Sequence, residues 1–224
     1  MKDGERNFFT DVASNYDKLS KSLTAGLDNI WRRRAVELAS GMERADVLDV
    51  ATGTGNVAIL LAKKYKNYRI VGIDFNKEML EIAKEKSKNL KNVKYANGDV
   101  ESLKIKNNSF DVVMLAFALG TFDDLQKAIS EIKRVLKPGG KLILLDINKS
   151  RNKLFNSFLN TYQMFSLTPT FNVEMRREIN MFIHSKKLDV DKEMLLHLLE
   201  QSDLKEIKCR DMSFRTVFII SCVK

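Results

Sequence analysis

From Val47 onward the chain alternates short apolar runs with longer amphipathic segments, and that alternation leaves few folds open. A strand followed by a helix returns to the same edge of the sheet, so repeated units of this kind build a mostly parallel sheet with helices on its faces. The pattern predicts strands at Asp46–Val50, Arg69–Ile73, Val93–Ala96, Phe110–Phe117 and Lys141–Ile147. Helices are expected from about Gly55 to Tyr65, from Asn76 to Asn89 with Asn76 as N-cap, and from Leu125 to Leu136. Lys137-Pro138-Gly139-Gly140 then stops the third helix, because proline cannot continue it and glycine supplies a tight turn. A last helix, Asp191 to Gln201, leads into Leu204–Cys209 and Phe214–Val223, which are placed to pair as an antiparallel hairpin at the sheet edge. The expected fold is therefore α/β, a Rossmann-like seven-stranded, mostly parallel sheet with an antiparallel C-terminal edge hairpin.

At 224 residues with 44% hydrophobic content, the chain can bury one sizeable core. We expect a single domain: an N-terminal flap (1–44), a cofactor-binding core (45–149), an aromatic-rich helical insertion or lid (150–190) and a C-terminal helix with the hairpin (191–224). The insertion breaks the βα rhythm and carries Phe155, Phe158, Tyr162, Phe165, Phe171 and Phe182. Acidic and basic residues early in the chain leave no apolar stretch suited to a secretory signal, and apolar runs are too short to cross a bilayer. A soluble, cytoplasmic protein is expected. Cys209 and Cys222 read as small core residues, and with only two histidines, His184 and His197, no metal site is expected.

The turn Asp49-Val50-Ala51-Thr52-Gly53-Thr54-Gly55 joins a strand to a helix, and its glycines allow a ligand closer to the backbone than a Cβ would. Gly53, Gly55 and Ala58 also satisfy a dinucleotide pattern, so a nicotinamide or flavin enzyme has to be weighed. Position speaks against it, since Asp49 at the strand's end would sit badly beside a pyrophosphate. Asp49, Asp74 and Asp99 recur near the ends of three successive predicted strands. Parallel strands bring such residues to one edge, where open α/β sheets bind their ligands. Three carboxylate acceptors suit a cationic, hydroxyl-rich ligand, and S-adenosyl-L-methionine offers an ammonium group, a ribose diol and an adenine amine.

The residues also resemble a known family. Phe9 through Val12-Ala13-Ser14-Asn15-Tyr16-Asp17, Gly26 with Trp31-Arg32, the Val47–Gly55 stretch, Asp74 with Met79-Leu80, Asn108-Ser109-Phe110-Asp111 and Arg134-Val135-Leu136-Lys137-Pro138-Gly139-Gly140 stand in one order. In that order they resemble the class I methyltransferases, most of all the C-methyltransferases of ubiquinone and menaquinone biosynthesis. The resemblance implies S-adenosyl-L-methionine as cofactor. It assigns Thr54 with the flanking Gly53 and Gly55 to the methionine part, Asp74 to the ribose, Asp99 and Val100 to the adenine and Ala116 to the sulfonium, and Asp49, Thr52, Phe75 and Met79 are further cofactor-binding candidates. Gly120-Thr121 stands where the family usually has an Arg-Asn pair near the reacting ring.

Tyr16 and Trp31 are candidates for the wall of an aromatic acceptor site, with ordinary packing as the competing reading. The sequence names no general base. A small apolar or aromatic acceptor such as a demethylmenaquinol-type quinone precursor is the leading expectation, and a prenylated acceptor implies peripheral membrane contact. The alternatives are an RNA methyltransferase, a methyltransferase of a lipid or amine, and a non-catalytic cofactor-binding protein.

A formal net charge of +9 attracts polyanions in general, yet the lysines lie among glutamates at helical spacings, as on solvated faces. RNA binding measured across a salt titration should therefore be weak and shallow. A steep fall of log affinity with log salt would show several phosphates contacted and would reinstate the RNA reading.

Overall fold

The structure, a computed structural model, describes residues 3–148, 167, 171–183 and 191–224. Seven strands form one sheet: β1 (Asp46–Val50), β2 (Arg69–Asp74), β3 (Val93–Asn97), β4 (Phe110–Ala116), β5 (Leu136–Ile147), β6 (Lys205–Met212) and β7 (Val217–Val223). Their order is β3-β2-β1-β4-β5-β7-β6. The first five pair in parallel; β7 runs antiparallel to both β5 and β6, so it slots inside the hairpin and leaves β6 at the edge. The Rossmann-like sheet expected from the sequence is the one observed.

Strand residues alternate between two apolar layers, as the two-residue period of a strand requires. Leu48, Val50, Val113, Leu115, Leu142 and Leu144 face one layer, and Val47, Val112, Met114, Ile143 and Leu145 face the other. Helices α1 (Asp3–Val12), α2 (Tyr16–Thr24) and α3 (Leu27–Glu37) precede β1, and α4 (Asn56–Lys64) and α5 (Lys77–Ser87) follow β1 and β2. Beyond β4 come α6 (Leu125–Val135), α7 (Val173–Ile183) and α8 (Lys192–Gln201). Helix α6 covers the first layer through Ala128, Ile129, Ile132 and Val135, while α4 covers the second through Val57, Ala58, Leu61 and Ala62. The helices that follow the adjacent strands β1 and β4 thus leave on opposite faces, which opens a crevice at the strand carboxyl ends.

Side-chain caps set several helix starts. Asn76 accepts from the Met79 amide at 2.9 Å and Asp191 from Glu193 at 2.9 Å, as expected of N-cap residues. Strand β5 begins at Leu136, five residues earlier than the sequence suggests, because Leu136 pairs with Phe110 before a register shift that brings Lys141 opposite Val112. Cys222 is buried on β7, whereas Cys209 is exposed because it sits on the edge strand. Strand β6 is also irregular: its register shifts between Lys205 and Lys208, with Glu206 at φ 51°.

Of the aromatic-rich insertion, Phe155, Phe158, Tyr162 and Phe165 lie outside the described residues. The described part packs on the N-terminal helices, with Leu167, Phe171 and Ile179 joining Phe8, Val12 and Leu19 in a third apolar cluster. No helix among the described residues is long and apolar enough to cross a membrane.

Arg134 on α6 shows how a loop before β4 is kept in place. Its guanidinium donates to the carbonyls of Leu103 at 2.9 Å and Ile105 at 2.6 Å, to Asn107 Oδ1 at 2.8 Å, and to both carboxylate oxygens of Glu131. Lysine cannot reproduce that fork, so Arg134→Lys should cost about 1–3 kcal/mol in urea unfolding. A variant as stable as the parent would show that the loop is held by other contacts.

Candidate functional site

The chain leaves β1 through a turn that ordinary residues resist. Ala51 has φ 52°, Gly53 53° and Gly55 80°. The two glycines serve different ends. A Cβ on Gly53 would meet nothing within 4 Å, whereas one on Gly55 would come within 2.7 Å of Tyr95 Oη and 2.9 Å of Ala83 Cβ. Gly53 therefore keeps the backbone bare toward open space, and Gly55 lets α4 close on its neighbours.

Two buried carboxylates hold this turn. Asp49 Oδ2 accepts from Thr52 Oγ1 at 2.5 Å and from the Ala58 amide at 3.0 Å, while its Oδ1 makes no hydrogen bond among the described residues. Asp74, at the end of β2, accepts from the amide of Gly53 at 2.7 Å and from that of Asn76 at 2.9 Å. Burial pushes the Asp49 carboxyl up to about 7; Thr52 and Ala58 pull against this, and the nearby Asp74 charge adds to it. Burial likewise raises Asp74 above the usual carboxylate range, against the backbone donors of Asn76, Gly53 and Phe75.

A cavity of about 620 Å³, counting its open mouth, lies over this turn. Asp49, Thr52, Gly53, Thr54, Asp74, Phe75, Met79, Ala116 and Tyr16 line it, all of them singled out from the sequence. An adjoining cavity of about 450 Å³ is lined by Asp99 and Val100 and shares Ala51, Asp74, Phe75 and Thr121 with the first. The three acids thus meet along one crevice, although Asp99 is exposed and spends Oδ1 on the Glu101 amide at 2.9 Å. Gly55 and Trp31 are absent from either lining. Trp31 stands behind Phe117, ring centroids 6.3 Å apart, and donates Nε1–H to Ser213 Oγ at 2.9 Å.

The structure adds residues to which the sequence reading gave no role in the site. Phe9, Arg32, Asn76, Phe117 and Thr121 also line the larger cavity. Arg32 could have been found by helical spacing, since it shares the buried face of α3 with Asp28, Trp31, Ala35 and Val36. The N-terminal helices are bolted to the rim by polar bonds. Asn76 Nδ2 donates to Thr10 Oγ1 at 2.9 Å, Thr54 Oγ1 donates to Asp17 at 2.7 Å, and Lys86 Nζ reaches the same carboxylate at 2.7 Å. Gly120-Thr121 forms part of a short 3₁₀ turn, pinned by Asp146, whose Oδ2 accepts from the Leu119 amide at 2.9 Å.

An open Gly53, an unspent Asp49 oxygen and a chain of carboxylates suit a ligand with an ammonium group and ribose hydroxyls, which is the chemistry of S-adenosyl-L-methionine. Strand order, the antiparallel last pair and this crevice define the class as the Rossmann-like methyltransferases. The fold resembles that of an S-adenosylmethionine-dependent methyltransferase from Aquifex aeolicus, with a TM-score of 0.67 and 19% identity over 92% of this chain and 97% of that one. A model of the ubiE/COQ5 methyltransferase family matches residues 2–224, and the chain belongs to that family. It is 37% identical over 161 residues to a demethylmenaquinone methyltransferase of Thermotoga maritima, covering 72% of this chain and 69% of that protein. To the demethylmenaquinone methyltransferase of Staphylococcus haemolyticus it is 30% identical over 216 residues, 95% of this chain and 90% of that one. The protein is an S-adenosylmethionine-dependent methyltransferase.

The buried acids make stability depend on pH. Asp49 titrates at about 7 and Asp146, also raised by burial, at about 6, against 3.8 for a free side chain. Both values are raised, so the folded chain holds protons that the unfolded chain has released. The stabilisation is complete below about pH 4 and is lost as pH rises through about 6 and 7. Urea midpoints of the ligand-free protein should fall between about pH 5 and pH 8, and Asp49→Asn should flatten the upper part of that fall. A slope unaffected by Asp49→Asn would place the titrating group elsewhere.

Proposed function

We propose that this methyltransferase methylates a ring carbon of a small aromatic acceptor of the demethylated isoprenoid quinol type. The observation that carries the reading is the composition of the larger cavity: Phe9, Tyr16, Phe75 and Phe117 share it with the acidic turn. An apolar ring gains by burial among such side chains. The names of the two curated relatives, both demethylmenaquinone methyltransferases, support the same class of acceptor.

In this reading Asp49, Thr52, Gly53 and Thr54 border the methionine part, Asp74, Phe75 and Met79 the ribose, and Asp99 with Val100 the adenine, with Ala116 beside the sulfonium. Gly55 acts by letting α4 pack, and Trp31 by backing Phe117. When bound, the cofactor supplies an activated methyl group for in-line displacement. What the chain contributes is alignment and shelter, since the acceptor has to be held within near-attack distance and apart from water. Helices α1 and α2, supported by Phe171 and Ile179, serve as the cover, an arrangement supported by the third apolar cluster and the bonds from Thr10 and Asp17 to the rim. A prenylated acceptor would be met at a bilayer surface by a cytoplasmic protein in peripheral contact with it, and Phe214, 94% exposed beside Arg215, suits that contact.

Two measurements test the proposal. Asp74→Ala should weaken S-adenosylmethionine in calorimetry by about 1–3 kcal/mol, the cost of leaving hydrogen-bonding groups unpaired. Radiolabelled cofactor incubated with separated lipid, RNA and amine fractions should label a demethylated quinol. Label on polar amines or RNA with none on the quinol would end the quinone reading and leave the methyltransferase assignment intact.

A further inference from the structure

The cofactor carries an anion as well as a cation: its methionine end has an α-carboxylate, for which three aspartates offer nothing. Among the residues lining the larger cavity Arg32 is the only basic one. It is 5% exposed, and its guanidinium carbon lies 4.9 Å from the centre of the Phe117 ring. A buried guanidinium is costly unless paired, and Asp28, one helical turn earlier and itself 8% exposed, supplies the partner through Oδ2.

Asp28 in turn is fixed by hydroxyl donors, Ser20 Oγ at 3.0 Å and Thr24 Oγ1 at 3.1 Å. The pair is therefore held on two sides and cannot swing freely. Arg32 does not spend all of its donors on this. Nη1 donates to Asp28, Nη2 lies 3.5 Å from Ser20 Oγ, at the limit of a hydrogen bond, and Nε makes no hydrogen bond among the described residues. A planar fork with spare N–H groups, oriented by a carboxylate behind it, is the chemistry that recognises a second carboxylate in front. Asp49 lies within electrostatic reach of the same guanidinium and has a free oxygen for an ammonium group. One cavity is thus lined by both a guanidinium and a carboxylate, the two kinds of group that the ends of an amino acid pair with.

We propose that Arg32 is the counter-charge of the α-carboxylate on the cofactor's methionine moiety, with Asp28 as the residue that positions it. The proposal rests on S-adenosylmethionine occupying the larger cavity as methyl donor. It identifies α3, which lies outside the βα core, as part of the cofactor site.

Calorimetry with two nucleosides separates recognition of the carboxylate from general damage. S-adenosylhomocysteine has the amino-acid end, and 5′-methylthioadenosine lacks it. Arg32→Gln should weaken S-adenosylhomocysteine roughly tenfold to a hundredfold and leave 5′-methylthioadenosine within about twofold. Because a lone buried Asp28 could unfold that variant, the double variant Asp28→Asn/Arg32→Gln should show the same selective loss. Arg32→Lys, which keeps the charge without the fork, should fall between. An equal loss for both nucleosides would make Arg32 structural and overturn the proposal. Unchanged affinity for S-adenosylhomocysteine would overturn it too. If the unaltered protein bound neither nucleoside, the donor reading would fail along with it.

Discussion

The site depends on two carboxylates that the fold buries before any ligand arrives. Asp49 and Asp74 accept from Thr52, Ala58, Gly53 and Asn76, and those bonds hold a turn containing three positive-φ residues. At Ala51, the one of the three with a Cβ, such a conformation is strained and persists only where the surroundings over-determine it. The arrangement works against stability at neutral pH, because both acids are pushed toward the protonated form. It also leaves the site ready for a cation, whose arrival would favour the ionised form that burial disfavours. In the proposed reading the same groups shape the loop and meet the ligand, so the loop is not optimised for stability alone.

The sheet was readable because its signal is hydrophobic periodicity, which tertiary packing reinforces rather than overrides. Strand β1 lies at Asp46–Val50 as expected, and α5 starts at its Asn76 cap. Strand β5 starts earlier than local pattern suggests because Pro138 and the two glycines look like a turn, while pairing with Phe110 is a long-range event invisible locally. Most of the acidic side of the crevice was legible from spacing alone, since parallel strands convert sequence period into spatial alignment. Helical spacing marks Arg32 as a buried position on α3, but what that face meets, Phe117 and the cavity beside it, depends on long-range packing that no local pattern encodes. Gly55 and Trp31 lie outside both cavity linings, and their neighbours Tyr95 and Ser213, which no local pattern reveals, show packing roles for them.

The net charge acquires a different meaning in three dimensions. Many basic side chains are locally balanced: Lys84 by Glu81, Lys88 by Glu85, Arg69 by Asp46 and Lys137 by Asp111. Exposed pairs of this type contribute little to stability, and among the described residues they set acid beside base along the surface. Lys86 is used differently, as a tie between α5 and Asp17 on α2, with Thr54 and Asn56 completing the cluster. The chain's cationic character thus coexists with a ligand crevice whose sequence-legible residues are acidic and aromatic.

An open sheet of seven strands presents two rows of unpaired backbone groups, each a template on which a foreign strand could grow. The outer strand β6 guards one row with Lys205, Lys208 and Arg210, all exposed, and with the kink at Glu206 that spoils a straight ladder. At the opposite end β3 is only five residues long and carries Lys94 outward. Stacking of molecules edge to edge is thereby discouraged at both ends, and a concentrated solution of the folded protein should resist fibril growth by strand addition. The irregularity of β6 therefore bears on colloidal behaviour as well as on local geometry.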